Sequence, residues 1–197
     1  MTTTNSSATP EMLDVRKLEA ASGEILEKLK SELEGHGFST DVFHRLTGKQ
    51  VTRYVIINYR EESYLRKQLC HANKPLATLV DFFMLSLEVG AEEIVALFSA
   101  DVFAHLLELG IVRLSNERAT CPACLAPLAG KYFLNDGNKF NDNMEHVLTL
   151  VLEQPYVIAA AKQVYSDFEA IENGKILDIC TGSGVIGQSV QPANWEV

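Results

Sequence analysis

The chain has 197 residues, of which 47% are hydrophobic and 22% charged, and its formal net charge is −9 at pH 7. This acidic balance argues against stable binding to nucleic acid, which usually depends on a basic patch. No apolar run reaches the roughly 18 residues of a membrane-spanning helix, and the N-terminus lacks a signal-peptide pattern. We therefore expect a cytoplasmic protein that does not bind membranes.

The first third of the chain predicts a tail and then a helix. Residues 1–10 are rich in Ser, Thr and Asn and are predicted to be a disordered tail. Apolar residues at helical spacing predict one helix from Glu11 to about Glu34, ended by Gly35 and Gly37. Glu27, Glu32 and Glu34 are expected to form a solvated face of that helix. The segment 51–59 is ambiguous between strand and helix.

Three more helices and a hairpin are predicted in the middle of the chain. Pro75 opens "PLATLVDFFMLSLEVG", which is apolar on nearly every side and should be the most buried helix, with Gly90 at its end. The stretches "AEEIVALFS" and "ADVFAHLLELG" predict two shorter helices, the second ended by Gly110. Short apolar runs in "IVRLSNERATCPACLAPLAGKYFLND" then predict a small hairpin with a loop.

Three helices followed by a hairpin predict a mainly α, winged-helix-like N-terminal domain over residues 11–135. Its last helix is acidic and apolar rather than basic, which favours a scaffold or dimerisation role over DNA binding. A homodimer is therefore possible. Residues 136–150 form a polar connection, and an amphipathic helix is predicted from Gln154 to Ala170.

A glycine motif follows that helix. Residues 175–187 read "KILDICTGSGVIG", which predicts a buried strand, a glycine turn and the start of a helix. Glycine allows a ligand to approach the backbone closely, and the N–H groups of the next helix would face that ligand. The spacing alone is a weak signal, because a tight strand–helix turn without a ligand has the same pattern.

The same motif resembles motif I of the class I S-adenosylmethionine-dependent methyltransferases. Asp178 matches the family's acidic residue, Gly182 and Gly184 match its last two glycines, and Cys180 stands at the first glycine position. This variant resembles the small-domain group that includes the release-factor glutamine methyltransferases. Parts of the preceding region resemble the winged-helix-like N-terminal domain of a bacterial subgroup. The resemblance implies a Rossmann-like α/β domain that begins within 136–197.

The resemblance also implies which residues contact the cofactor. Asp178, Cys180, Thr181, Gly182 and Gly184 would contact S-adenosylmethionine, with the acid orienting its amino group. Tyr132 and Phe133 could border the site from the N-terminal half, although core packing is the more common role for such residues. No catalytic residue is identified.

Two features of the family have no counterpart in the sequence. Only thirteen residues follow Gly184, and they contain neither the acid of the second strand nor a substrate motif such as Asn-Pro-Pro-Tyr. Pro192 would interrupt the helix after the glycine turn. We therefore expect an incomplete methyltransferase domain that is inactive on its own. The methyl acceptor, whether a protein glutamine, an RNA base or a small molecule, is not defined.

Two other functions compete with methyl transfer. Residues 11–135 could serve as a non-catalytic helical dimerisation or interaction module. A fragment of a nicotinamide-dependent oxidoreductase is a weaker alternative, because Asp178 precedes the glycines whereas the dinucleotide fingerprint has its acid about 20 residues later.

The cysteine pair "CPAC" has the spacing of a zinc knuckle, but no second pair accompanies it. Cys121 and Cys124 are therefore predicted to be a chance or reduced pair in a loop, with zinc as the lesser alternative. The five histidines have no metal-binding spacing, and His105 lies within an apolar helix, where a packed core histidine is expected. No metal site is predicted.

Overall fold

The computed structural model describes Leu13 and residues 15–41, 67, 69, 73–128, 130–136, 154–165 and 188. Within this part the helices are α1 (Val15–Glu19), α2 (Gly23–Gly35), α3 (Lys74–Leu79), α4 (Ala91–Val95), α5 (Ala100–Glu108) and α6 (Gln154–Tyr165). The strands are β1 (Val89–Gly90), β2 (Arg113–Ser115), β3 (Arg118–Thr120), β4 (Ala123–Leu128) and β5 (Lys131–Asp136). A π-helical segment, Val80–Met84, continues α3.

The N-terminal helical region consists of two helices, whereas the sequence predicted one. Ser22 has an extended backbone (φ −65°, ψ 130°) and is the N-cap residue of α2, so the helix is interrupted before Gly23. The predicted end is confirmed, because Gly37 has a φ of 81° and the Phe38 N–H donates to the Leu33 carbonyl at 2.9 Å. This closing bond satisfies one of the free carbonyls at the end of α2.

The buried helix is shorter than the sequence predicted. Asn73 caps α3 by accepting a bond from the Leu76 N–H at 3.4 Å, and Pro75 lies in the first turn, where its missing N–H costs nothing. The Leu85 N–H donates to the Val80 carbonyl at 3.0 Å, which is the i→i+5 bond of a π-helix. Ser86 then takes a φ of 51° and the helix stops. Gly90 does not end this helix; it lies in β1 and is the N-cap residue of α4.

The five strands form two small antiparallel sheets. In the first sheet β3 lies between β1 and β2, so a strand that precedes α4 and α5 pairs with a strand that follows them. Asn116 and Glu117 join β2 to β3 with φ values of 47° and 63°, as a tight hairpin turn requires. The second sheet is the β4–β5 hairpin, which turns at Gly130 with a φ of 78°. The single predicted hairpin is thus two hairpins.

One hydrophobic core connects these elements. Its aromatic centre contains Phe38, Phe82, Phe83 and Phe98, and the Phe82 and Phe83 rings meet edge to face with centroids 4.9 Å apart. The segment predicted to be the most buried helix of this half of the chain supplies two of these rings. Seven of the eleven residues from Lys74 to Met84 are buried, which confirms the predicted burial of this segment. Burial of each such ring stabilises the fold by about 1.5–3 kcal/mol relative to exposure.

Polar contacts fix the orientation of α2 against α5. Glu32 accepts hydrogen bonds from the backbone N–H and the hydroxyl of Ser99, the N-cap residue of α5, at 3.1 and 2.5 Å. His36 donates from Nε2 to the Leu97 carbonyl at 2.7 Å, which requires the proton on that nitrogen. The sequence predicted that Glu32 lies on a solvated face. That prediction is wrong, because the Glu32 carboxylate is bonded to Ser99.

The described part of the chain contains no helix that is long and apolar enough to cross a membrane. The predicted tail 1–10 and segment 51–59 lie outside the described residues, as does most of the connection 136–150. The predicted amphipathic helix is present as α6, whose Ile158 is 4% exposed and belongs to the core.

Candidate functional site

The five residues predicted to bind the cofactor lie outside the described residues. Asp178, Cys180, Thr181, Gly182 and Gly184 therefore remain a prediction from the sequence. The first described residue after them is Gln188, and its backbone carbonyl accepts a hydrogen bond from the Lys131 ammonium. This bond connects the turn end of the β4–β5 hairpin to the chain four residues beyond Gly184.

Lys131 also borders an open cleft of about 540 Å³. Four parts of the fold supply its described lining residues: α1 with the link to α2, α2 itself, the end of α5 with the residues after it, and the β4–β5 hairpin. This volume lies in the range typical of small-molecule sites, about 300–1,000 Å³. We call it the α2–hairpin cleft, and it is the candidate functional site of the described residues.

The α2 wall follows from helical spacing. Leu26, Leu29, Lys30 and Leu33 line the cleft at positions i, i+3, i+4 and i+7, which share one face of a helix. Leu33 is 1% exposed at the floor, whereas Leu26 is 43% exposed at the mouth. The helix thus presents an apolar stripe that its neighbours cover only in part.

The hairpin wall follows from strand alternation. Tyr132 and Leu134 point to the same face of β5, and Leu125 is directly opposite Leu134 on β4. The opposite face of the hairpin carries Cys124 and Phe133, and both are buried in the core. Cys124 and Phe133 thus pack in the core, whereas Tyr132 and Leu134 line the cleft on the other face of the hairpin.

Tyr132 is held rigidly in this wall. Its hydroxyl donates to the Phe38 carbonyl at 2.5 Å, and its ring stacks on the Phe38 ring with centroids 6.1 Å apart and an interplanar angle of 14°. Burial raises the pKa of the Tyr132 hydroxyl, and Glu34 adds to that shift. The hydroxyl is therefore neutral and serves as a structural donor. Phe133, the second aromatic residue suggested to border a site, packs in the core instead.

Among the described lining residues, the charged ones are Glu27, Lys30 and Lys131. Their two ammonium groups and one carboxylate sum to a net charge of about +1, in a chain whose overall charge is −9. Sequence reasoning did not identify these residues as a site. One sign of a site was present in α2, where Lys30 interrupts the apolar stripe. The sequence could not reveal the cleft, because the hairpin that completes it is distant along the chain.

The two described cysteines are free, buried thiols. Cys121 donates from Sγ to the Ala123 carbonyl at 3.0 Å, and burial raises the pKa of each thiol to about 12. Neutral thiols are poor nucleophiles and poor metal ligands. Among the described residues, no three His, Cys, Asp or Glu side chains are grouped so that they could hold a metal ion.

His105 has mixed surroundings. Its Nδ1 lies 3.4 Å from the Glu108 carboxylate, while its Nε2 is buried without a hydrogen-bond partner. The prediction of a packed core histidine therefore holds only in part, because the His105 side chain is 23% exposed and lies beside a carboxylate.

No protein-family model matches the chain, and no curated protein matches it either.

Proposed function

We propose that this chain carries the N-terminal portion and the cofactor motif of a class I S-adenosylmethionine-dependent methyltransferase. One observation carries the proposal: in "KILDICTGSGVIG" the acid Asp178 precedes Gly182 and Gly184 at the end of an apolar run. A phosphate-binding turn needs no acid there, because a carboxylate would repel a phosphate. A carboxylate in that position instead suits the positively charged amino group of S-adenosylmethionine.

The proposed fold agrees with this family. We propose a winged-helix-like domain over 11–135 and the start of a Rossmann-like domain in 136–197. The proposed winged-helix-like domain is supported by the order of its elements, which is β1, α4, α5, β2 and β3, and by the pairing of β1 with β3. The helix before the hairpin, α5, contains Asp101 and Glu108 and has no lysine or arginine, so we propose a scaffold role for it rather than DNA binding.

The chemistry assigned to the motif is binding and orientation. Asp178 would accept hydrogen bonds from the cofactor's amino group, and Gly182 and Gly184 would let the backbone approach its methionine part. Bound in this way, S-adenosylmethionine supplies an activated methyl group, and the protein contributes by positioning the acceptor in line with it. The acceptor remains a protein glutamine, an RNA base or a small molecule, and we propose a cytoplasmic location.

Saturation-transfer NMR with S-adenosylmethionine tests the proposal, because it detects weak as well as tight binding. We expect transfer to the cofactor's methyl and adenine protons, with a clear reduction in the Asp178→Asn variant. A matched control is Glu172→Gln, which removes an acid outside the motif and should leave the signal unchanged. Equal signals from all three proteins, or none from the wild type, would contradict the assignment.

The alternative is a non-catalytic interaction module that forms a homodimer. It is favoured by apolar side chains that remain exposed on the helices of residues 11–135, such as Val95 at 45% and Leu107 at 37%. Sedimentation velocity over a hundredfold range of concentration distinguishes the two functions. A concentration-dependent dimer without any cofactor signal would support the module.

A further inference from the structure

We infer that the α2–hairpin cleft binds a small amphipathic carboxylate, with the apolar body of the ligand inside the cleft and its carboxylate at Lys131. The inference goes beyond the proposed methyl transfer and does not depend on it. It rests on the lining of the cleft, on the positions of its charges and on its openness to solvent.

The interior of the cleft favours an apolar body. Ten of the fifteen described lining residues are Ala, Leu or Ile, and they come from every wall. A strongly polar molecule would lose its hydration there without finding hydrogen-bond partners. Tyr132 does not change this preference, since its hydroxyl proton is already committed to the Phe38 carbonyl. Apolar area that a ligand covers in the cleft contributes roughly 25 cal/mol per Å².

The edge of the cleft favours a negative head group. Lys131 uses one of its three ammonium N–H groups on the Gln188 carbonyl, which leaves two for a ligand oxygen. That bond also holds the long side chain in place, so less side-chain entropy is lost when a ligand binds. Lys30 adds a second positive charge, and Glu27 cancels only one of the two. A cationic head group would be repelled by the same two lysines.

The charge points to a monoanion. Among the described residues that line the cleft there is no arginine, so they do not offer the forked guanidinium that holds phosphate through two parallel bonds. A net charge of about +1 balances one carboxylate, while a dianion would leave excess negative charge beside Glu27. A medium-chain fatty acid or an arylalkanoic acid has the required combination of one carboxylate and a compact apolar body.

Isothermal titration of the full chain with decanoate tests the inference, with decyltrimethylammonium as a matched cation of the same chain length. We expect decanoate to bind at one equivalent and about tenfold more tightly than the cation. Lys131→Gln should weaken decanoate binding about three- to tenfold, the size of effect that a partly exposed ion pair produces. Lys162→Gln removes an exposed lysine from α6, outside the cleft, and should have no effect.

A second variant separates a lost site from a lost fold. Leu26→Trp places a larger side chain at the exposed mouth, so it should weaken decanoate binding while the thermal unfolding midpoint stays within a few degrees of the wild type. Equal binding of anion and cation, or equal effects of Lys131→Gln and Lys162→Gln, would overturn the inference. A dimer that Leu26→Trp dissociates would also overturn it, because a second copy would then occupy the cleft.

The outcome is independent of the test for methyl transfer. Decanoate binding without a cofactor signal in NMR would support the cleft and reject the proposed function. A cofactor signal without decanoate binding would do the reverse.

Discussion

Raising the pH from 8 to 10 should destabilise this fold through two buried thiols, Cys121 and Cys124. Burial raises the pKa of each to about 12 from an ordinary value of 9.0. Between these values an unfolded thiol loses its proton while a folded thiol keeps it. The stabilisation is therefore complete below pH 9 and is lost progressively as the pH rises toward 12.

The size of the effect follows from the two pKa values. At pH 10, ionisation in the unfolded chain lowers the free energy of unfolding by about 1.4 kcal/mol per thiol, compared with about 0.1 kcal/mol at pH 8. Two thiols therefore reduce stability by about 3 kcal/mol over this interval. That is a large part of the 5–15 kcal/mol that a typical domain possesses.

Urea unfolding at several pH values from 8 to 10, in the presence of a phosphine reductant, measures this loss. The control is the double variant Cys121→Ala with Cys124→Ala, which begins at lower stability because it removes two buried sulfur atoms. Its curve should fall by about 3 kcal/mol less than that of the wild type. The titration of exposed lysines is common to both proteins and cancels in the difference.

Parallel curves for the two proteins would refute this reasoning. So would reaction of both thiols with a disulfide reagent at pH 8 as quickly in the folded chain as in the denatured chain. Either result would mean that water reaches Cys121 and Cys124 in the native state.

Four further predictions concern stability at neutral pH, each measured by urea unfolding. Tyr132→Phe keeps the ring stacking but leaves a backbone carbonyl without its donor, so it should cost about 1–2 kcal/mol. Glu32→Ala removes the acceptor for both donors of Ser99 and should cost about 1–2 kcal/mol, whereas a change below 0.3 kcal/mol would mean that water replaces it. Gly130→Ala should cost about 1–2 kcal/mol from its φ of 78° alone, because no atom lies within 4 Å of the added methyl group. Gly35→Ala, also free of contacts but helical, should instead stabilise by about 0.5–1 kcal/mol.

Local signals predicted helix ends well where the backbone required glycine. Gly37 and Gly110 end α2 and α5 with φ values of 81° and 73°, as their positions suggested. The prediction that Gly90 ends the buried helix was wrong. That helix stops at Ser86, which has a positive φ, and serine rarely adopts this left-handed conformation. The glycine itself has an ordinary negative φ.

The cleft could not be predicted in the same way, because its walls are far apart in the sequence. A helical period identified the apolar stripe of α2, but nothing local indicated that the stripe faces Leu125 and Tyr132. Glu32 shows the same limit: its helical position suggests solvent, and only the packing of α5 reveals its partner Ser99. The predicted cofactor residues, Asp178 to Gly184, remain a prediction from their motif.

The bond between Tyr132 and Phe38 has a consequence for synthesis of the chain. These residues are 94 positions apart, and the bonds from His36 to Leu97 and from Ser99 to Glu32 span 61 and 67 positions. A ribosome adds about 5–20 residues per second. It therefore synthesises α2 several seconds before it synthesises the β4–β5 hairpin. During that interval the leucine stripe of α2 is exposed on the nascent chain. A chaperone that recognises apolar helical segments would find its target there, and the β4–β5 hairpin would later displace it.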